Sequence, residues 1–329
     1  MQQRIGSRGV AIVLAVGLAF ATTPAPAQQP YPSQTIKIIV GVAAGGLGDI
    51  ASRLVAKTLS EAGHTAIVEN RTGANGIIAT EAVAKAPADG HTLISSNHAT
   101  FAILPHMTKL PYNAVKDFTP ITLAVAAPNV LIVKSSLPVK SVAELIAYGK
   151  ANPGKLTNAS QGVGASGHLL GEQFKQITGV DLVHVHYRGA ALALQDVVAG
   201  HMDVMFDVVP LTREHAQAGR VRALAVASPQ RNPVLPDVPT MVEVGLQPLE
   251  GGAWFGFMAP AGTPKATIAW LDTQIRKTFE TPAVRERLTK NGLLLLSQAS
   301  PEAFAAFMAK DSARWEGVIR QGNIKLDSR

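Results

Sequence analysis

The sequence predicts an α/β protein built in two similar halves, each around a parallel sheet. Apolar runs of strand length alternate with helix-like segments over residues 36–96 and again over 129–227. In each half a glycine-rich loop follows a strand and opens a helix: Gly41-Val-Ala-Ala-Gly-Gly-Leu-Gly-Asp49 and Ser160-Gln-Gly-Val-Gly-Ala-Ser-Gly-His168. Towards the C-terminus, Thr263-Pro264, Thr281-Pro282 and Ser300-Pro301 each place a capping residue before a proline at the first helical position.

The chain opens with Arg4 and Arg8, an apolar stretch from Gly9 to Ala21, and Ala25-Pro-Ala27. That order reads as an export signal cleaved after Ala27, because the apolar core falls short of the roughly 20 residues a membrane span needs. Ile36–Val40 is then a strand, and Ile50–Ala62 a helix with Leu54, Val55, Thr58 and Leu59 on one face. Thr65–Glu69 reads as a strand, Gly76–Ala86 as a helix and His91–Ser96 as a third strand. Asn129–Lys134 is a β-branched run, and Ser141-Val-Ala-Glu144 is a capping box opening a helix through Lys150. Asn152-Pro-Gly154 stops it. Leu156–Ser160 is a weak strand before the second glycine loop and a helix over Ser166–Thr178. Leu182–Tyr187, Ala190–Ala199 and Val204–Phe206 form a strand–helix–strand unit, and Val221–Ala227 is a further strand. Pro229–Gly252, rich in proline and glycine, is expected to run over the surface before a strand at Trp254–Ala259.

With 329 residues the chain is long enough for two domains and an ample core, and it has no cysteine. Disulfides, thiolate metal sites and a cysteine nucleophile are thereby excluded. The formal charge of +7 becomes +5 once residues 1–27, with two arginines and no acid, are removed. A modest positive charge favours encounter with anions. There is no block of lysine or arginine and only 5% aromatic residues, which argues against a nucleic-acid surface.

Glycine lets backbone N–H groups approach a guest, and a helix start leaves such donors unpaired at the positive end of its dipole. Two such loops in matching places describe a clamp for an anion. The candidate contacts are Ala44, Gly45, Gly46, Leu47 and Asp49 in the first loop, with Gln161, Gly162, Gly164, Ala165, Ser166 and His168 in the second. Asp49 stabilises its own helix start, and would meet an anionic ligand only through a donor group or a water. Gly162-x-Gly164-x-x-Gly167 matches a dinucleotide fingerprint with Asp181 at a tempting distance, but the weak preceding strand and the export signal argue against it. Ser166 lacks a nucleophile elbow, since His168 stands where glycine is needed. His184 and His186 share a strand face without a third ligand in sequence, so neither a metal nor another cofactor is expected. Arg188 and Asp207, at strand ends, and Ser95 and Asn97, closing the third strand, complete the candidate lining. Trp254 and Phe255 could cover an apolar ligand body, with core packing as the default.

A wider set of segments runs in order along the mature chain: Ala44-Gly-Gly-Leu-Gly-Asp49, Val68-Glu-Asn-Arg-Thr-Gly-Ala-Asn-Gly76, Ala88-Asp-Gly-His-Thr-Leu93, Leu110-Pro-Tyr112 and Asp117-Phe-Thr-Pro120. Asn152-Pro-Gly-Lys-Leu156, Gly162-Val-Gly164 with His168-Leu169, His186-Tyr-Arg-Gly189, Leu235-Pro-Asp-Val-Pro-Thr240 and Trp254-Phe-Gly256 with Ala259-Pro-Ala-Gly-Thr-Pro264 follow. In these segments the chain resembles the periplasmic solute receptors of tripartite tricarboxylate transporters, the Bug receptors. The resemblance implies a type II periplasmic-binding-protein fold, two lobes closing on a ligand as a Venus flytrap. Residues 28–126 and 229–329 would form lobe 1, and 127–228 lobe 2. The chain is thus expected to be a periplasmic receptor that catalyses nothing, is monomeric and, with no later stretch long and apolar enough to span a membrane, does not insert after signal cleavage. Such a receptor holds a small organic carboxylate on backbone amides of both loops, with bridging waters, and passes it to membrane permease subunits. Ala44 and Leu47 stand where the family usually has proline and a hydroxyl residue; Leu104-Pro105 replaces an asparagine–proline, and Arg188 a lysine. Leu47 makes the first loop more apolar, so the ligand can differ from dicarboxylates or amino acids. The alternatives are an exported hydrolase using Ser166 or a histidine-bound metal, and a ligand sensor feeding a signalling partner.

Overall fold

The computed structural model describes residues 31–326; the expected export signal lies outside them. Strand β1 (Ile36–Val40) sits between β2 (Ala66–Asn70) and β3 (Thr92–Asn97), parallel to both. Helices α1 (Leu47–Glu61) and α2 (Ile77–Ala84) make the crossovers. The second half repeats the plan. Strand β5 (Leu156–Ser160) lies parallel between β6 (Leu182–His186) and β7 (Val204–Val208), with α4 (Ser166–Thr178) and α5 (Ala190–Val198) as crossovers. Both glycine loops therefore leave the carboxyl end of a central parallel strand, where open α/β sheets form clefts.

Strand β4 (Phe118–Lys134), 17 residues long, joins the two halves. Its first part pairs antiparallel with β9 (Gly252–Pro260), and its last part with β7 and with β8 (Val221–Val226). The strand order is β2-β1-β3-β9-β4-β7-β5-β6, with β8 and the short β10 (Leu294–Leu295) also on β4. The sequence shows only the Asn129–Lys134 part of β4, because Pro120 and Pro128 interrupt the upstream run. The sheet accommodates Pro120 beside a shift of register.

Other differences are local. Helix α1 starts at Leu47, three residues before the expected Ile50, because extended Gly46 serves directly as its cap. Helix α3 (Val142–Ala151) has the predicted cap, Glu144 N–H donating to Ser141 Oγ at 3.1 Å, but Glu144 reaches back to Lys140 N–H rather than to Ser141. Helix α6 (Val209–Gln217) is not foreseen, since only Val209 and Thr212 of it are buried. Pro229–Gly252 is irregular but not a surface run: Asn232, Leu235, Met241, Leu246 and Leu249 are buried. Of the three C-terminal helices, α7 (Lys265–Glu280) is capped by Pro264 itself, while Thr263 Oγ donates to Pro260 O at 2.8 Å. Helix α8 (Pro282–Thr289) lacks a side-chain cap, and α9 (Pro301–Gln321) has Ser300 accepting from Ala303 N–H.

Strand β1 buries both faces, as a parallel strand between helix layers must. Ile36, Ile38 and Val40 pack with Val55, Phe257, Leu271 and Ile275, whereas Ile39 joins a second core with Phe174, Phe206, Trp254 and Trp315. That second core draws on both halves of the chain, so the lobes are fused along the α4–α9 side, where Gln176 Nε2 donates to Val318 O at 3.1 Å. Phe257 is 1% exposed at the centre of the first layer. Phe257→Ala is expected to cost about 3–5 kcal/mol, measured by urea unfolding.

Candidate functional site

A cavity of about 1010 Å³ lies between the halves. One wall comes from Gly41, Val42 and Ala43, the Thr72–Gly76 loop, Asn97, His98, Ala99, Leu104 and Phe255. The other comes from Gln161 to Ser166, Ala190, Asp207 and Val208, and Leu326 of the tail beyond α9 completes the lining. Both glycine-loop regions thus face one space, but with unequal shares.

In the second loop, Gln161, Gly162, Gly164, Ala165 and Ser166 line the cavity, and α4 begins at Ser166 with its first-turn N–H groups unpaired by helix geometry. Gly164 has φ +77°, and a Cβ there would lie 2.8 Å from Met107 Sδ of the opposite half. The positive φ therefore favours glycine here, while the flexible Met107 side chain could give way to a Cβ. Its N–H is already committed, donating to His168 Nδ1 at 3.1 Å. His168 stands behind the loop rather than on the wall, and burial, then the neighbouring His184 and His186, push its pKa down to about 3.

The first loop behaves differently. Its cavity wall is Gly41–Ala43, and Ala44, Gly45, Gly46, Leu47 and Asp49 are not part of it. Leu47 packs on the core beneath β1. Asp49 is 2% exposed and faces its own loop: Gly45 N–H donates to Oδ2 at 2.9 Å, Arg53 Nε to Oδ2 at 2.9 Å, and Asn70 Nδ2 to Oδ1 at 2.9 Å. The Arg53 hydrogen bond, aided by Gly45 and Asn70 against the effect of burial, holds the Asp49 carboxyl down to about 2. Ser95 is buried under α1, its hydroxyl 3.4 Å from Gly48 O. Asn97 is on the wall, with Oδ1 accepting from Ala99 and Thr100 N–H at 2.9 and 3.2 Å. Arg188 is exposed and off the wall.

Asp207 is the buried acid of the cavity, 1% exposed. Gln161 Nε2 donates to its Oδ1 at 3.0 Å and Thr212 Oγ to its Oδ2 at 3.3 Å. Burial outweighs these bonds and pushes the carboxyl up to about 6. His98, not singled out from sequence, also lines the cavity, and burial pushes it down to about 4. Phe255 is both core and part of the cavity lining, whereas Trp254 is core alone, with Nε1 donating to Asp311 at 2.8 Å.

Two discounted chemistries look different in three dimensions. Leu156–Ser160 is a firm strand within a βαβ unit, so its weakness is no argument against the dinucleotide fingerprint. Asp181 is the better argument: it precedes β6, at the opposite end of the sheet from the glycine loop. Ser166 Oγ has no hydrogen bond to an imidazole or carboxylate among the described residues.

The family model described as the tripartite tricarboxylate transporter family receptor matches residues 51–324. Protein BugT of Bordetella pertussis is 35% identical over 318 residues, covering 95% of this chain and 97% of its own. Among solved structures, an R. palustris protein with adipate is 34% identical with TM-score 0.77, over 90% of this chain and 99% of that one. MatC from Rhodopseudomonas palustris with bound malate is 33% identical with TM-score 0.73, over 88% and 100%.

The Asp49 geometry has a stability consequence. A carboxyl held at about 2 in the folded chain, against an ordinary 3.8, favours folding above pH 3.8. That contribution fades as pH falls from 3.8 through 2. Asp49→Asn is expected to lower stability at pH 7 and to flatten the acid limb of unfolding between pH 4 and 2, followed by circular dichroism.

Proposed function

The chain belongs to the tripartite tricarboxylate transporter receptor family, and from that premise we propose that it captures a small aliphatic dicarboxylate between its lobes in the periplasm and delivers it to the membrane subunits of such a transporter. It is a solute-binding protein, not an enzyme. The observation that carries the ligand class is the cavity itself: about 1010 Å³ between two sheet ends, with the N-terminus of α4 opening on it. Relatives solved with adipate and malate support the same chemistry. The reading takes residues 28–126 with 229–329 as one lobe and 127–228 as the other, a division supported by the sheet crossing at Pro128 and Asn129.

The Leu47 departure does not weigh against a dicarboxylate, because that side chain packs on the core and not on the cavity. Asp207 sets the electrostatic condition. Below about pH 6 it is a neutral acid able to donate to a ligand carboxylate; above, it is an anion facing an anion. A bound carboxylate raises the Asp207 pKa further, so binding takes up a proton and weakens as pH rises past 6.

In a thermal-shift and calorimetry panel of short dicarboxylates, adipate or malate is expected to stabilise the protein. Affinity should fall as pH rises from 5.5 to 8, and Asp207→Asn should remove most of that slope. Failure of every dicarboxylate in the panel would refute the ligand class. A slope unchanged in Asp207→Asn would remove Asp207 from the contact.

A further inference from the structure

Behind the second glycine loop, α4 and β6 bring His168, Glu172 and His184 together, with one donor atom of each lying within 4.8 Å of the others. His168 and Glu172 are one helical turn apart and share a face of α4. His184 comes from the adjoining edge strand. All three are largely enclosed: His168 is 5% exposed, and the side chains of Glu172 and His184 are 14% and 10% exposed. Each imidazole has Nδ1 committed, His168 to Gly164 N–H and His184 to Asn158 Nδ2, both at 3.1 Å. The remaining nitrogens are Nε2. That of His184 lies 2.6 Å from Glu172 Oε1, off the line of the ring N–H.

We infer that His168, Glu172 and His184 form a binding site for a divalent transition-metal ion of the zinc type. Two imidazoles and a carboxylate are a donor set such ions take. A simple ion pair accounts for Glu172 with His184, and for Lys175, whose Nζ is 3.4 Å from Glu172 Oε1. It leaves out His168, whose buried ring lies edge-on to His184 with centroids 4.9 Å apart and whose Nε2 has no hydrogen bond among the described residues. Bond lengths of about 2.0–2.2 Å set the donors of a tetrahedral ion about 3.4 Å apart, so the Glu172–His184 contact of 2.6 Å must open while His168 draws in. Lys175, with 30% of its side chain exposed, can swing out to solvent. His186, held by Ser160 Oγ at 2.7 Å, lies outside the triad.

Loading carries one structural demand. An ion on Nε2 of a neutral His168 moves the ring proton to Nδ1, where Gly164 N–H now donates, so that hydrogen bond must open. At His184 the matching demand is met by turning the Asn158 amide, whose buried Oδ1 has no partner, towards Nδ1–H. The inference does not depend on the identity of the cleft ligand.

The test uses untagged, chelator-treated protein and Zn²⁺ alone, in calorimetry at neutral pH with no carboxylate ligand present. One saturable equivalent is expected. Glu172→Gln and His184→Ala should each weaken it by at least about 10-fold, and His186→Ala should not. Circular dichroism of the zinc-free variants establishes that each is folded. On Zn²⁺ addition the Gly164 amide resonance of the wild type should shift and exchange faster with solvent. No saturable binding by the wild type, or equal binding by Glu172→Gln, would overturn the site. Binding with an unmoved Gly164 amide would remove His168 from it.

Discussion

Strand β4 is the element on which the cleft depends, because one uninterrupted backbone belongs to both sheets. At the crossing, Asn129 N–H donates to Gly251 O at 3.1 Å, Ala227 N–H to Asn129 O at 2.7 Å, and Gly251 N–H to Ala227 O at 2.8 Å. Three chain segments therefore pass between the sheets tied to one another by main-chain bonds. This confines relative movement of the lobes to a few residues at the ends of strands. On the α4–α9 side the two halves share one apolar core, so the free side is the one where the glycine loops face each other. The cleft is thus a consequence of sheet topology before any ligand chemistry enters.

The electrostatics of that cleft are leaner than two glycine loops promise. Several amides are used in holding the loops: Gly45 N–H on Asp49, Gly46 N–H on Ala43 O, Gly164 N–H on His168 and Ala165 N–H on Gly162 O. These internal bonds fix the loop shapes and withdraw those donors from a guest. What remains most clearly directed at the cavity is the first turn of α4, on the same wall as Asp207. A helix terminus and a carboxyl of high pKa side by side suit an anion that brings a proton, or meets one.

Strand and helix positions were legible where pattern and punctuation agree. Ile36–Val40, Leu156–Ser160 and Ser166–Thr178 fall where the sequence puts them, with glycine following the first strand at Gly41 and closing the helix at Gly179. The upstream part of β4 was hidden by its prolines, and α6 by having only Val209 and Thr212 buried. The site divides in the same way. Gln161, Gly162, Gly164, Ala165 and Ser166 lie on the cavity, but His168 stands behind its loop, and Asp49 turns inward because Arg53 and Asn70 claim it. Asn70 is 21 residues away in sequence, a distance that no local motif encodes. Glu172 beside His184 is invisible for the same reason, since the pairing exists only once α4 lies over β6.

The Thr72–Gly76 wall shows how a site can be shaped by strain rather than by charge. Ala74 and Asn75 hold φ of +45° and +55°, flanked by Gly73 and Gly76 at +131° and +93°. Left-handed backbone at a residue other than glycine costs on the order of 1–3 kcal/mol and persists only where surroundings dictate it. Here they do. A Cβ on Gly41 would lie 2.9 Å from Gly76 Cα, so the two loops are in backbone contact. Under the proposed function, a ligand would meet in this turn a wall held against Gly41 by backbone contact. Such a wall reduces the ordering cost of binding, which matters most for a small guest with few contacts to offset it.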